Sequence, residues 1–493
     1  MNMNTKRIIT AVLSLALSLP SFGQSIRSFI TTPDRSQMFA EQADKAEFST
    51  LRNERANYIV IDPEQRYQYI DGFGFALTGG SAEHLIKMSP AARKAILEEL
   101  FSVEKGIGIS TIRLTLGASD LNSFVFSYDD IPAGSEDFAL EHFSLAQDMH
   151  DVVPVMREIL AINPDIQIIS SPWSAPAWMK TGGDMRGGQL RKECYGVYAD
   201  YFVRYVEAMR ACGIDIHSVT VQNEPMNSRN TPSMYWFTYE QADFIKNHLG
   251  PKFREAGLST EIIVFDHNCD RPDYPLAIYN DPDAAQYVSG AAFHHYRGDL
   301  SAMTYVHEAR PDKAVYFTEQ MTTEQPGSSE IAIAAAVERL IIGITRNWSR
   351  NVILWNLAAD PLNDPHTDNG GCSMCQGAIT IYKDDVGRNI AYYVVAHASK
   401  FIRPGSRRVF STSPHDRSIV ICEDEQRPEV WRTNIVEHSE VMPNAAFRTP
   451  DGTIVLVVAN NSWSKRSLHI QYNGKFAELK LTPGAVGTFI WRE

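Results

Sequence analysis

The sequence predicts an α/β fold: a (β/α)8 TIM barrel with an appended all-β sandwich domain. Three observations point there. From about residue 70, strand-like and helix-like segments alternate eight times. Most of the strand-like segments are continuous apolar runs rather than alternating ones, as expected of parallel strands covered on both faces. After Phe401–Gly405 the helical patterns stop, and short alternating runs separated by Asn, Gly, Asp and Pro take over.

Taken in order, the chain begins with a pattern of export. Lys6 and Arg7 precede the apolar run Ile8–Leu19, and small residues follow around Ser21–Gln24. Charge, a short apolar core and a small-residue exit describe a cleaved signal peptide over residues 1–24. The run is too short to span a bilayer, and no later segment offers some twenty apolar residues, so no membrane insertion is expected. Residues 25–65 contain the strand-like Asn57–Ile61, expected to pair with the C-terminal sandwich. The barrel is expected over 66–402, with strands at Tyr69–Ala76, Ser110–Leu116, Gln167–Trp173, Ser218–Gln222, Glu261–Asp266, Gly290–Tyr296, Ala314–Thr318 and Asn351–Leu357. Helical patterns lie between them at Pro90–Phe101, Leu140–Ile162, Lys192–Ala211, Tyr239–Ala256 and Glu330–Trp348. The sandwich is expected over 403–493, with runs such as Ser418–Cys422, Thr453–Ala459, Ser467–Tyr472 and Gly487–Trp491.

An open doubly wound sheet also alternates, but it usually carries a Gly-rich phosphate turn. Gly72-Phe73-Gly74 lacks the third glycine of the dinucleotide pattern, and no Walker sequence occurs. The composition, 44% hydrophobic and 21% charged over 493 residues, is that of a large globular enzyme with more than one domain. A formal net charge of −13 with no basic stripe disfavours nucleic acid and anionic surfaces and suits a neutral substrate. Six cysteines are too few for a disulfide scaffold. Cys372-Ser373-Met374-Cys375 has no partner pair at zinc-site spacing, which leaves a local disulfide or two free thiols.

Two glutamates carry the chemistry. Glu224 closes Ser218–Pro225 and Glu319 closes Ala314–Gln320, each after a β-branched and aromatic run. Both carboxylates therefore fall at C-terminal strand ends, where a barrel of this kind places its active site. Two carboxylates facing one cavity are what glycoside hydrolysis requires, one protonated as acid and one ionised as nucleophile or base. Either glutamate alone could merely pair with an arginine. His294 and His295 are adjacent on a strand and point to opposite faces, so the two together are not expected to ligate one metal ion. Asp120, Asp360 and Asp364 read as turn formers.

The residues that follow resemble glycoside hydrolase family 30, which contains endo-β-1,6-glucanases, glucosylceramidases and some xylanases: Asp71–Gly74, Ile112–Leu114, Ser171–Trp178, Gln222–Pro225, Asp266–Asn268, His294–Tyr296, Phe317–Gln320 and Trp355–Leu357. The resemblance implies Glu224 as general acid/base and Glu319 as nucleophile of a retaining double displacement. It implies Arg113 and Tyr296 as partners of the nucleophile, and Asn223 as a contact to the sugar 2-hydroxyl. Burial among aromatics and the nearby Glu319 should raise the Glu224 pKa to suit acid duty. His294 is expected at the cavity, Asp266 and His267 as hydrogen-bonding partners or sugar contacts, and Trp173, Trp178 and Trp355 as stacking faces.

One departure bears on substrate. Glucosylceramidases carry an aspartate in the segment matching Thr78-Gly79-Gly80, and this chain has glycine, which argues against strict glucosylceramide specificity. The stretch Gly370–Gly377 is similar to the Gly-Gly-Cys-x-x-Cys-x-Gly loop of the endo-β-1,6-glucanase branch. The expected function is an exported, retaining β-glycosidase acting within β-1,6-glucan. The alternatives are a β-glucosidase or glucosylceramidase acting at chain ends, or a carbohydrate-binding barrel without catalysis. No cofactor, metal or protein partner is implied.

Overall fold

The computed structural model describes residues 24–493, apart from 325–327, 415–416, 425–426, 438–440 and 465. Of the export pattern, residues 1–23 lie outside the described residues.

Eight parallel strands form the barrel: β1 (Gly72–Leu77), β2 (Thr111–Thr115), β3 (Gln167–Ser171), β4 (Ser218–Thr220), β5 (Glu261–Cys269), β6 (Val288–Gly298), β7 (Ala314–Glu319) and β8 (Asn351–Leu354). Neighbours in sequence are neighbours in the sheet, and β8 returns to β1 with Asn351 opposite Gly72. Isolated parallel bridges, Val315–Ser349 and Met321–Trp355, link β7 to β8 and close the ring. The strands are short and nearly wholly buried, since helices cover the outside and side chains fill the inside.

Most of the expected helices form. Pro90–Phe101 begins with Ser89 capping the Ala92 N–H and Pro90 in the first turn. Leu140–Ile162 is corrected: the helix is Val152–Ile162, capped by Asp151. Upstream, Leu140 takes a left-handed backbone and Asp137 accepts the His142 N–H, so that stretch folds as a loop despite its apolar spacing. Gly79–Lys87 is a helix that glycines hide from propensity reasoning. Thr78 caps it by accepting from the Ser81 N–H.

The second region is a sheet of ten strands. Tyr58–Tyr69 pairs there with Arg407–Ser411 and, in parallel, with Arg466–Tyr472, while Ser25–Thr31 pairs with Val486–Arg492. The chain before the barrel is thus woven into the sheet after it. Among the described residues, Arg417–Asp424, which contains the expected Ser418–Cys422, pairs with Arg427–Glu437 in a separate two-stranded sheet. Buried His397 ties the two regions together, bonded to Thr488 Oγ1 and Thr31 Oγ1 at 2.9 and 2.8 Å.

Candidate active site

The barrel mouth opens into a cavity of about 520 Å³. Glu224, Glu319, Trp173, Trp355, Tyr296, His267 and Asp120 line it, together with Cys372 and Cys375. Those two cysteines form a disulfide, which settles the choice the sequence left open.

Glu224 sits four residues beyond the short β4, on a left-handed backbone with φ 45°. A non-glycine residue pays for that conformation, so its surroundings must hold it there. Its N–H donates to the Asp266 carbonyl at 3.0 Å, and Asn227 Nδ2 donates to its Oε2 at 2.6 Å. Glu319 ends β7. Its Oε2 accepts from Arg113 Nη1 at 2.6 Å and its Oε1 from the Tyr296 hydroxyl at 3.0 Å. Both carboxylates approach one nitrogen, His294 Nδ1, at 3.2 Å for Glu224 and 3.8 Å for Glu319.

Beneath them lies a polar layer closed to solvent, centred on Asp266 of β5. Its Oδ2 accepts from Arg113 Nη2 (2.8 Å), Ser171 (3.0 Å) and Thr220 (2.6 Å), and its Oδ1 from Thr318 at 2.6 Å. His294 Nε2 lies 2.9 Å from Oδ1. Burial would raise the Asp266 pKa, but Arg113 and these hydrogen bonds hold it well below the usual carboxylate range. Arg113 also donates through Nη2 to Asn223 Oδ1 at 2.8 Å, which fixes that amide with Nδ2 as its remaining donor. Arg113, expected as a partner of the nucleophile, and His294, expected at the cavity, are wholly buried and absent from the cavity wall. Their polar atoms reach the glutamates instead.

The expected rise in the Glu224 pKa is also corrected. Burial does push upward, but the hydrogen bonds and charges of His267 and His294 outweigh it, and the Glu224 carboxyl is held below its ordinary range. For His294, burial pushes down, while the charge of Glu319 and the bonds to Asp266 and Glu224 push the imidazole up to about 9. The two directions, down for Glu224 and up for His294, favour the proton on His294 over Glu224. Glu224, His267 and His294 also bring three ligand atoms within 4.8 Å of one another.

Trp173 and Trp355 stack at 5.3 Å and 22°, with the Arg113 guanidinium 4.8 Å from the Trp173 ring centre. Both rings line the cavity almost fully buried, and the Trp173 indole N–H has no acceptor among the described residues. Trp178, expected as a stacking face, is instead tied into the β2 loop by a bond to Asp129 at 2.8 Å. Asp360 is the turn former expected, accepting from the Leu362 and Asp364 N–H groups. Asp120 is not, because it lines the cavity. Nothing in its local sequence distinguishes it.

A (β/α)8 barrel with paired carboxylates over a charged hydrogen-bond grid, flanked by tryptophans, defines a glycoside hydrolase. The chain belongs to glycosyl hydrolase family 30. The family 30 TIM-barrel domain matches residues 70–402 and the family 30 beta sandwich domain residues 432–489. Endo-1,6-beta-D-glucanase BGN16.3 of Trichoderma harzianum is 31% identical over 431 residues, 84% of this chain and 82% of that protein. The lysosomal acid glucosylceramidase of Mus musculus is 26% identical over 461 residues, 88% of this chain and 83% of that protein. The solved endo-beta1,6-glucanase BT3312 superposes with a TM-score of 0.82 at 32% identity, covering 95% of this chain and 100% of that one.

Proposed function

We propose that the protein is an exported, retaining endo-β-1,6-glucanase. The observation that carries the retaining mechanism is the shared approach of both carboxylates to His294 Nδ1. The two oxygens are thereby at most about 7 Å apart, which favours the close spacing of about 5–5.5 Å typical of retention. Glu319, oriented by Arg113 and Tyr296, attacks the anomeric carbon as the Glu224 carboxyl protonates the departing oxygen. That proton reaches Glu224 Oε1 from His294 Nδ1 as substrate displaces water and desolvation raises the carboxylate. A glycosyl ester on Glu319 and a neutral imidazole result. In the second step Glu224 accepts a proton from the attacking water, the ester is displaced, and the proton returns to His294. Asn223 Nδ2 is the donor for the sugar 2-hydroxyl.

The β-1,6 linkage is supported by the named activity of the Trichoderma relative and of BT3312, and by glycine at position 79. Export is supported by the residue 1–24 pattern. Among the described residues no helix is long and apolar enough to cross a membrane. The test is a product profile on β-1,6-, β-1,3- and β-1,4-glucans, xylan and an aryl β-glucoside, with the anomer read by NMR. A ladder of gentiooligosaccharides released as β-anomers is expected. Faster turnover of glucosylceramide than of β-1,6-glucan would reject the glucanase reading.

A further inference from the structure

Away from the catalytic cavity, the loop after β2 brings three further ligand-type side chains together. One ligand atom from each of Asp129, Asp137 and His142 lies within 4.8 Å of the others, and none of the three residues lines the catalytic cavity. On an open surface water would answer each charge, but Asp129 and Asp137 are both shut away from it.

Asp129 is wholly buried. Its Oδ2 accepts from Trp178 Nε1 at 2.8 Å, while its Oδ1 has no hydrogen-bond partner among the described residues. The carboxyl of Asp137 stands within hydrogen-bond reach of it, yet two ionised carboxylates have no proton to share. His142 does not resolve this. Its Nδ1 meets Asp137 Oδ2 at 2.8 Å and leaves Asp129 Oδ1 unanswered. A buried carboxylate oxygen without a donor is destabilising, and a second carboxylate beside it adds repulsion to the lost hydration.

The fold nevertheless holds the pair together, because both segments are tied to one helix, Tyr195–Ala211. The Tyr201 hydroxyl accepts from the Tyr128 N–H at 3.0 Å, next to Asp129. Arg204 donates to the carbonyls of Leu140 and Ala139 at 2.7 and 2.8 Å, just after Asp137. Asp137 Oδ2 also accepts the His142 N–H at 2.8 Å, which closes the turn and sets the imidazole beside it. A cation among the three side chains satisfies the orphan oxygen and cancels the repulsion at once.

The ligand set decides the class of ion. Two carboxylates with one imidazole suit Zn²⁺ and its transition-metal neighbours, whereas Ca²⁺ and Mg²⁺ favour oxygen alone. His142 is the exposed member, which gives an ion a path in and water a place in its shell. Occupancy has a mechanical consequence. Asp129 holds Trp178, and the Phe138 ring packs edge-on against the same indole at 5.6 Å. Trp178 belongs to the loop after β3, the loop that also carries Trp173 to the cavity wall.

We propose that Asp129, Asp137 and His142 bind a divalent transition-metal cation of the Zn²⁺ class, which clamps the loop after β2 onto the loop after β3. The ion is structural and takes no part in glycoside cleavage.

The test is calorimetric titration of the full-length protein, freed of metal with EDTA and dialysed, with Zn²⁺, Mg²⁺ or Ca²⁺. Thermal midpoints are read in parallel. Zn²⁺ is expected to bind and to raise the midpoint, with Mg²⁺ and Ca²⁺ at least about 10-fold weaker. Asp137→Asn and His142→Ala should each weaken Zn²⁺ binding by about 10-fold or more and remove the rise in midpoint. Because the readout is the change on adding metal, a merely structural role for either side chain leaves it unmoved. Zn²⁺ binding that survives both substitutions but is lost in His267→Gln lies in the catalytic cluster and overturns the proposal. A parent that binds Mg²⁺ or Ca²⁺ as tightly as Zn²⁺ also overturns it. So does a parent that binds no Zn²⁺, which would leave the two carboxyls sharing a proton. Should Asp137→Asn fail to fold, the exposed His142→Ala decides alone.

Discussion

The floor of the barrel mouth and its rim are built on opposite principles. On the floor, Arg113, Asp266 and His294 are completely buried, and each of their charged groups meets another. On the rim, Arg229 stands in solvent beside the disulfide loop, its carbonyl next to Gly370. The floor residues sit on or just beyond strands, where the barrel fixes their spacing. The rim comes from loops of variable length after β2, β4 and β8. Reaction type therefore belongs to the floor and substrate choice to the rim.

Four experiments can break or sharpen that division. The largest effect is expected at Glu319: Glu319→Ala should lower turnover by about 10⁴-fold or more on every substrate, since no glycosyl ester forms. Glu224→Ala should spare the first step with aryl glycosides whose leaving group needs no proton, and azide should then yield a β-glycosyl azide. An α-product arising only from the Glu319 variant would reverse the assigned roles.

Next comes Arg113→Met, which strands Asp266 and Glu319 without their cation. A loss of about 3–5 kcal/mol in unfolding free energy is expected by denaturant titration. A loss below about 1 kcal/mol would mean that Ser171, Thr220 and Thr318 carry Asp266 on their own.

The third effect is a pH dependence. His294, facing Glu224, Glu319 and Asp266, has a folded-state pKa of about 9, above the ordinary 6.5. Its contribution to stability is thus fully present below about 6.5 and fades as pH rises through about 9. Denaturant midpoints measured from pH 6 to 9.5 should fall across that window, and His294→Gln should flatten the slope. A slope identical in the variant would assign the titration elsewhere.

The smallest effect belongs to the rim. Cys372→Ser opens the disulfide and should weaken cleavage of β-1,6-glucan a few-fold more than hydrolysis of an aryl glucoside. Equal losses on both would limit the loop to a role in folding.

The same division governs what could be read from the sequence. Each of the eight strands overlaps its expected run, because burial on both faces of a parallel strand forces a continuous apolar segment. The glutamates were legible because they close such runs. The start of the helix at Val152 was not, because Asp137 and Asp151 outcompete the apolar spacing through local hydrogen bonds.

By itself, then, the sequence determined the barrel, the sandwich after it and the two carboxylates, all of which follow from patterns within a few residues. Only the tertiary structure decided that His294 lies between Asp266 and Glu224, that its neighbours lower the Glu224 pKa and raise that of His294, and that Asp120 lines the cavity rather than merely shaping a turn. These depend on groups far apart in the chain: Asp266 with Arg113, His294 with Glu224, and Asp120 with Thr367. Charge states in a buried site are set by such neighbours, and their identity is known only once the chain has folded.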